Sequence, residues 1–193
     1  MAYYKNIGLI GRAQAGKDSV GDRLRTRYGY QRVAFADPLK ASALRIDPLI
    51  PTAYDRGSAV HVRLSVLVAD VGWDYAKVAY PEVRRILQHV GQTVRTIDPL
   101  FWVRAAFPAI DAAERLNLPV VVTDVRYENE AVALRDRGFS FVRITRPGTD
   151  TPDAHESETA LDNWAAALTI GNTGTLDELN RIVDSLLLPR STR

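Results

Sequence analysis

Short apolar runs alternate with longer stretches of helical period along the chain. Each run is rich in valine and isoleucine and is bounded by turn residues, a pattern typical of buried strands. Five strands are predicted, at residues 6–10, 32–36, 119–123, 139–145 and 167–170. Because strands that alternate with helices form parallel sheets covered on both faces, the sequence predicts an α/β protein.

The helices between these strands have recognisable start signals. Predicted starts lie at Pro81, at Asp98-Pro99 and at a capping box formed by Thr175 and Glu178. Gly91 is the expected end of the helix that Pro81 opens. Residues 37–118 contain no convincing strand, so a helical insertion is predicted between the second and third strands.

Composition and charge narrow the class of protein. A chain of 193 residues, 46% of them hydrophobic, is long enough for one domain with a substantial core. A net charge of +2 is too small to indicate a nucleic-acid surface. The lack of cysteine excludes disulfides and thiolate metal sites, and there is neither a signal-peptide pattern nor an apolar run of membrane-spanning length. We therefore expect a cytoplasmic protein without a nucleic-acid or membrane partner.

The clearest chemical motif follows the first predicted strand. The apolar run breaks at Gly11, and the chain then reads Gly-x-x-x-x-Gly-Lys, ending at Lys17. Glycines allow a tight turn and close approach to phosphate, and the amides at a helix start attract the anion. Asp18 stands where the simplest form of this loop has Ser or Thr, but Ser19 follows it and could reach a metal ion. The residues predicted to bind ATP are Gly11, Arg12, Ala13, Gln14, Ala15, Gly16, Lys17, Asp18 and Ser19. The alternative is an ordinary glycine turn.

A second motif ends the third predicted strand, where Val120-Val-Val-Thr is followed by Asp124-Val-Arg126. The carboxyl end of a parallel strand opens onto the same crevice as the phosphate loop. Asp124 is therefore predicted to hold Mg²⁺, together with Ser19, and Arg126 to clamp a second phosphate group. The alternatives are a helix N-cap for Asp124 and a surface ion pair for Arg126.

Several stretches together resemble the deoxynucleoside monophosphate kinases of bacteriophages, a branch of the P-loop nucleoside and nucleotide kinases. The matching stretches are GRAQAGKDS at 11–19, FADPLK at 35–40, RRILQHVGQTVR at 84–95, FW at 101–102, TDVRYENE at 123–130, RITRPG at 143–148, HESE at 155–158 and IGNTGTLDEL at 170–179. They occur in the family's order and cover nearly the whole chain.

The resemblance implies that the γ-phosphoryl group of ATP, with Mg²⁺, passes to the 5′-phosphate of a deoxynucleoside monophosphate. It implies a single P-loop domain, a three-layer αβα fold with a five-stranded parallel sheet. In that fold the core would be residues 1–36 and 119–193, the helical monophosphate-binding insertion about 37–118, and a short lid about 146–157. It also suggests a homodimer.

Residue roles follow from charge under this resemblance. The acceptor phosphate is already largely ionised at neutral pH, so the reaction needs positioning and charge neutralisation, and no general base. Lys17, Arg126 and Arg146 are expected to neutralise the transferring group; Arg143 is less favoured because strand alternation places it mid-strand. The residues expected to contact the monophosphate are Asp37, Lys40, Arg85, Gln88, Arg95, Trp102, Arg126 and Asn129. Asn172 is the candidate contact to adenine.

Structural alternatives stay open for several of these residues. Arg85 and Gln88 project together from one helix, which could be a solvated face. The spacing of Trp102 also fits core packing, Asn172 could be a turn residue, and Asn129 could orient Arg126 or begin a helix. His155 is interpreted as a lid or cap residue.

Two other functions compete with the monophosphate kinase. The first is a kinase that phosphorylates a hydroxyl, like the dephospho-coenzyme A kinases or nucleoside kinases, in which Asp37 would take the hydroxyl proton. The second is a nucleotide-binding regulatory module that has no acceptor. Arg126 and the region 84–95 favour a phosphate acceptor. The sequence does not identify the base that is accepted.

Overall fold

The structure is a computed structural model that describes residues 5–55, 58–149 and 159–186. These residues form seven strands and seven helices: β1 (Ile7–Ile10), α1 (Lys17–Tyr28), β2 (Gln31–Val33), α2 (Ala36–Ile46), β3 (Leu49–Asp55), β4 (Ser58–Arg63), α3 (Leu64–Ala79), α4 (Pro81–Ile97), α5 (Phe101–Arg115), β5 (Val120–Val122), α6 (Glu128–Asp136), β6 (Ser140–Thr145), β7 (Leu168–Gly171) and α7 (Leu176–Leu186). The chain divides into two compact units. Unit 1 comprises Met1–Phe35 and Val103–Arg193, and unit 2 comprises Ala36–Trp102.

Unit 1 is built on a five-stranded parallel sheet with the strand order β2-β5-β1-β6-β7. All five predicted strands are present, with ends shifted by at most three residues. β1 is the central strand, so the loop that leaves its carboxyl end begins in the middle of the sheet.

The sheet of unit 1 is covered on both faces. Val120 and Val122 pack in a core cluster with α5 and α6, whereas Val121, between them, packs with α1 and α7. This alternation follows from the two-residue period of a strand, and it explains why every valine of β5 is buried. The predicted three-layer αβα architecture is therefore confirmed.

Unit 2 contains α2, α3 and α4 and, in addition, an antiparallel pair formed by β3 and β4. The prediction that this region lacks strands is wrong. Ile50 is fully buried, and its register partner Val62 packs against the same core cluster, so the pair has one apolar face. Pro51 obscures the alternating pattern in the sequence, and the register shifts between Pro51 and Ala53, an irregularity next to the residue that lacks an N–H.

Helix α4 runs through Gly91 to Ile97, so the predicted helix end at this glycine is also wrong. A Cβ atom at position 91 would lie 3.2 Å from Cδ2 of Leu39, which indicates that glycine allows α4 and α2 to approach closely. The next helix, α5, begins at Phe101 rather than Pro99, and the carboxylate of Asp98 accepts the N–H of Leu100 at 3.1 Å.

The capping box at the start of α7 is confirmed. Oε2 of Glu178 accepts the N–H of Thr175 at 2.7 Å, and Oγ1 of Thr175 accepts the N–H of Glu178 at 3.3 Å. Of the helices in the described part of the chain, none combines the length and the apolar character needed to cross a membrane.

Candidate active site

The loop between β1 and α1 turns through three residues in the left-handed region of the backbone. Gly11, Gln14 and Gly16 all have positive φ angles, of 134°, 60° and 106°. A Cβ atom on Gly11 would lie 2.1 Å from the carbonyl oxygen of Ile144 at the end of β6, so no other residue fits there without moving the strand. Gly11 therefore allows the start of the loop to lie directly against β6.

Lys17, the first residue of α1, is folded back onto this loop. Its Nζ donates hydrogen bonds to the carbonyl oxygens of Gly11 at 2.6 Å and Arg12 at 2.7 Å, and the residue is only 8% exposed. A cation at a helix N-terminus is unfavourable beside the positive end of the helix dipole. The loop carbonyls offset this cost and hold the ammonium group against the loop.

The other residues of this motif differ in exposure, and Ala15 is fully buried. Gln14 and Asp18 are exposed, and Ser19 is half-buried in the first turn of α1. Nη2 of Arg12 donates to Oδ2 of Asp162 at 2.8 Å, which ties the loop to the segment that precedes β7.

The end of β5 lies against α1. A Cβ atom on Gly21 would be 2.4 Å from Cγ2 of Thr123, so this glycine permits close approach between the helix and the strand. Asp124, the next residue, accepts the N–H of Phe35 at 2.8 Å through Oδ1. In the described part of the chain, Oγ1 of the buried Thr123 is the one buried side-chain polar atom with no hydrogen-bond partner. This threonine was not among the predicted site residues, although its place at the end of an all-valine strand was a signal.

Arg126 follows Asp124 and is positioned through its backbone. Oε2 of the buried Glu130 accepts the N–H of Arg126 at 2.8 Å and that of Tyr127 at 3.1 Å. Oδ1 of Asn129 in turn accepts the N–H of Glu130 at 2.9 Å. The start of α6 therefore fixes the turn that carries Arg126.

The two arginines of the RITRPG stretch have different surroundings. Nη2 of Arg143 donates to the carbonyl oxygens of Leu161 and Trp164, both at 2.8 Å, so this side chain anchors the segment before β7. Arg146 is exposed just after β6. Arg143 therefore has a structural contact, and the expectation that Arg146 neutralises the transferring group stays a prediction. Most of the expected lid, including His155 and the HESE stretch, lies outside the described residues.

Asn172 follows β7 and is buried beside the phosphate loop. Its Nδ2 donates a hydrogen bond to the carbonyl oxygen of Ala15 at 2.9 Å. A cleft of about 530 Å³ opens next to it, lined by residues 171–174 and by residues of α7 that include Glu178 and Arg181.

Six of the predicted monophosphate contacts lie in unit 2. Asp37 is exposed in the first turn of α2. On the same helix, Nζ of Lys40 lies 5.9 Å from the ring centroid of Trp73, a cation–π contact. Trp73 was not singled out in the sequence. It follows Gly72, and a glycine inside a helical stretch was the signal that the sequence offered; in the structure the φ of 75° at this glycine breaks α3.

On α4, Arg85 and Gln88 are exposed, and Arg95 is half-buried. Nε of Arg85 donates to Oε2 of Glu82 at 2.7 Å, and this interaction raises the pKa of Arg85 while it lowers the pKa of Glu82. The guanidinium of Arg85 therefore already has a carboxylate partner one helical turn away, an arrangement typical of a solvated helix face.

Trp102 lies inside unit 2. It is 2% exposed, its Nε1 donates to the carbonyl oxygen of Gly91 at 3.1 Å, and its ring meets Phe101 edge to face. A ring buried in this way offers no open face to a nucleotide base. The structure therefore favours core packing, the alternative that the same spacing allowed.

A five-stranded parallel sheet with a phosphate loop after its central strand is the architecture of the P-loop kinases. Dephospho-CoA kinase from Campylobacter jejuni shares this fold, with a TM-score of 0.50 and 10% sequence identity over 94% of this chain and 95% of that one. At this identity the similarity concerns the fold alone.

Sequence comparisons identify the family. The model of the deoxynucleotide monophosphate kinase family matches residues 58–183, well over half of the chain. The protein therefore belongs to the deoxynucleotide monophosphate kinase family, as its motifs predicted.

Two relatives show how far the similarity extends. The deoxynucleotide monophosphate kinase of Enterobacteria phage T4 is 32% identical over 102 residues, which are 50% of this chain and 42% of that protein. A protein of Acanthamoeba polyphaga mimivirus, provisionally given the same name, is 26% identical over 186 residues, 89% of this chain and 90% of that protein. The match thus spans less than half of the phage relative and most of the mimivirus one.

Proposed function

We propose that this protein transfers the γ-phosphoryl group of ATP to the 5′-phosphate of a deoxynucleoside monophosphate. Membership of the deoxynucleotide monophosphate kinase family supports this reaction. The observation that carries the proposal is the arginine of the TDVR stretch, which a buried carboxylate positions in the same unit as the phosphate loop. A protein that only bound ATP would have no need for a second cation placed to bind phosphate.

The donor nucleotide would bind to unit 1. Lys17 and the amides at the start of α1 would hold the outer phosphates of ATP, because both present positive charge to the same anion. Arg126 and Arg146 would neutralise the charge that develops on the transferring group. These two cations and Lys17 would supply most of the catalysis, since phosphoryl transfer depends chiefly on positioning and electrostatic stabilisation.

We propose that magnesium accompanies ATP in this site. Ser19 and Asp124 offer hard oxygen ligands, and the unpartnered hydroxyl of Thr123 lies next to Asp124. Within residues 5–55, 58–149 and 159–186, no three acidic or histidine side chains are grouped closely enough to hold a metal by themselves. Phosphate oxygens and water would therefore complete the coordination. Bound there, Mg²⁺ would neutralise charge on the phosphates of ATP.

We propose that unit 2 is the monophosphate-binding region, and that Arg126 of unit 1 contacts a phosphate group. Lys40 is the first candidate for the phosphate of the monophosphate, because the face of Trp73 holds the ammonium group in a defined place. Asp37, Arg85, Gln88, Arg95 and Asn129 remain proposed contacts; Arg85 would have to leave Glu82 to take part. Trp102 is not a proposed base contact, because its ring is buried.

The first experiment measures ADP release from ATP with magnesium and a panel of acceptors: dAMP, dGMP, dCMP, dTMP, AMP, a nucleoside and dephospho-coenzyme A. We expect turnover with one or more deoxynucleoside monophosphates, and its loss in Lys17→Ala and Arg126→Ala. Arg25→Ala is the matched control, because Arg25 is an exposed arginine that pairs with Asp22 on the surface of α1. Turnover with a hydroxyl acceptor alone would replace this proposal with one that places Asp37 at the centre. ATP binding without any turnover would favour the regulatory module.

We also propose, from the resemblance, that the protein is a homodimer and acts in the cytoplasm of a host cell. Sedimentation velocity tests the dimer, which should sediment with twice the mass of the chain. A single species with the mass of one chain across the micromolar range would refute it.

A further inference from the structure

Asn172 is held at both its backbone and its side chain. Its N–H donates to the carbonyl oxygen of Thr145 at 2.7 Å, which continues the pairing of β6 and β7 by one residue. Its Nδ2 reaches across to the carbonyl oxygen of Ala15 at 2.9 Å, in a buried hydrogen bond. The carboxyl end of the sheet is thereby connected to the middle of the phosphate loop.

This hydrogen bond fixes the orientation of one peptide group in the loop. The carbonyl of Ala15 and the N–H of Gly16 belong to the same trans peptide, so they point in opposite directions. When Asn172 holds the carbonyl on one side, the N–H of Gly16 must point to the other side. Gly16 is the N-cap of α1, and N–H groups at this position are the ones that bind phosphate in such loops.

Gly16 and Asn172 are also closely packed. A Cβ atom on Gly16 would lie 2.6 Å from Nδ2 of Asn172, closer than any real contact of this kind. The φ of 106° at Gly16 is likewise one that residues with side chains rarely adopt. Only a glycine at position 16 leaves room for the side chain of Asn172 in this place.

We propose that Asn172 is a positioning residue that braces the phosphate loop, and that it does not select the adenine base. The inference rests on the proposed function, since it assumes that the loop binds ATP. Without the brace, the peptide between Ala15 and Gly16 could rotate, and binding would have to order it first. Affinity would then fall for every ligand that presents the same phosphates, whatever base it carries.

The test compares three ligands: ATP, GTP and inorganic tripolyphosphate, each titrated by calorimetry in the presence of magnesium. We expect Asn172→Ala to weaken the binding of all three by a similar factor of about ten, which is equivalent to about 1.4 kcal/mol. Asn172→Asp keeps the shape of the side chain but cannot donate the hydrogen bond, so it should weaken binding at least as much. If Asn172 instead contacted adenine, Asn172→Ala would weaken the binding of ATP alone and leave the binding of tripolyphosphate unchanged.

Asn6 provides the matched control. Its Nδ2 donates to Glu114 at 3.2 Å and its Oδ1 accepts the N–H of Val120 at 2.9 Å, both near the amino ends of β1 and β5, opposite to the loop. Asn6→Ala should lower the thermal unfolding midpoint and leave tripolyphosphate affinity unchanged. If Asn172 only stabilised the fold, Asn172→Ala would likewise lower the unfolding midpoint and leave tripolyphosphate affinity unchanged.

The outcomes separate this inference from the proposed function. If the wild type binds tripolyphosphate and both Asn172 variants bind it equally well, the brace is refuted and the kinase proposal stands. If the wild type binds neither ATP nor tripolyphosphate, the kinase proposal is refuted and the brace with it.

Discussion

Removal of the Glu130 carboxylate tests how unit 1 positions Arg126. In Glu130→Ala, the N–H groups of Arg126 and Tyr127 both lose their acceptor at the start of α6. Loss of a helix cap costs about 0.5–2 kcal/mol, and a buried N–H left without a partner costs about 1–3 kcal/mol. Because Arg126 and Tyr127 are only half-buried, water can partly replace the carboxylate, and we expect about 2–3 kcal/mol in total. Glu130→Gln keeps an acceptor oxygen and should lose about 1 kcal/mol.

The effect on activity should exceed the effect on folding. A displacement of about 1 Å at a group that positions substrate can reduce turnover by roughly 10²-fold. We therefore expect kcat/KM for the monophosphate to fall about 10²-fold in Glu130→Ala and much less in Glu130→Gln. Urea unfolding gives the stability, and kcat/KM is measured at a temperature where each variant is fully folded.

Glu178 is the control for this prediction. It forms the same capping box at the start of α7, but it is exposed and supports no proposed phosphate contact. Glu178→Ala should lose less stability than Glu130→Ala. At saturating ATP its kcat/KM for the monophosphate should stay at the wild-type value, because Glu178 lines the cleft beside Asn172 and does not hold the turn that carries Arg126. The reasoning is refuted if Glu130→Ala shows the full loss of stability while its kcat/KM stays at the wild-type value, because Arg126 would then not depend on its backbone restraint.

Three further predictions test other parts of the account. Trp102→Phe removes the hydrogen bond to the Gly91 carbonyl and should lower the free energy of unfolding by about 2–3 kcal/mol. The KM for the monophosphate should stay unchanged, and a raised KM would show that Trp102 contacts the substrate. Lys40→Met should raise the KM for the monophosphate about tenfold, with kcat nearly unchanged. Trp73→Leu should raise it about two- to fivefold, because a cation–π contact contributes about 0.5–1 kcal/mol. A wild-type KM in both variants would exclude the pair from the monophosphate site. The hydrogen bond from Arg23 lowers the pKa of Asp184, and the Tyr28 hydroxyl adds to this effect. The carboxylate therefore stabilises the fold above its unfolded pKa of about 3.9, and this stabilisation is lost as the pH falls through the folded pKa. The difference in urea midpoint between the wild type and Asp184→Asn should therefore be largest near pH 7 and shrink below about pH 4; a difference independent of pH would contradict this assignment.

The sheet of unit 1 could be predicted because its signals are local. Each strand is a short run of β-branched residues between turn residues, and the strand–glycine–helix order around Gly11 identifies the phosphate loop without knowledge of the fold. The positions of Asp124 and Arg126 at the end of β5 followed from the rule that parallel strands share one functional edge.

The errors have a common cause in contacts between distant parts of the chain. Pro51 argued against a strand, yet β3 forms because Ile50 is buried in the core of unit 2. Gly91 looked like a helix end, but it is a glycine because Leu39 of α2 packs against it. A contact with a different helix cannot be recognised from the sequence of α4 alone. The contact between Asn172 and Ala15 joins residues 157 positions apart, so only the fold reveals it.

The most direct test of the central claim follows the label from [γ-³²P]ATP into product. The account predicts that, with magnesium and a deoxynucleoside monophosphate, the label appears in the β-phosphate of the deoxynucleoside diphosphate, and that Arg126→Ala abolishes its transfer. Label that reaches only inorganic phosphate, or only the hydroxyl of an acceptor such as dephospho-coenzyme A, would contradict it.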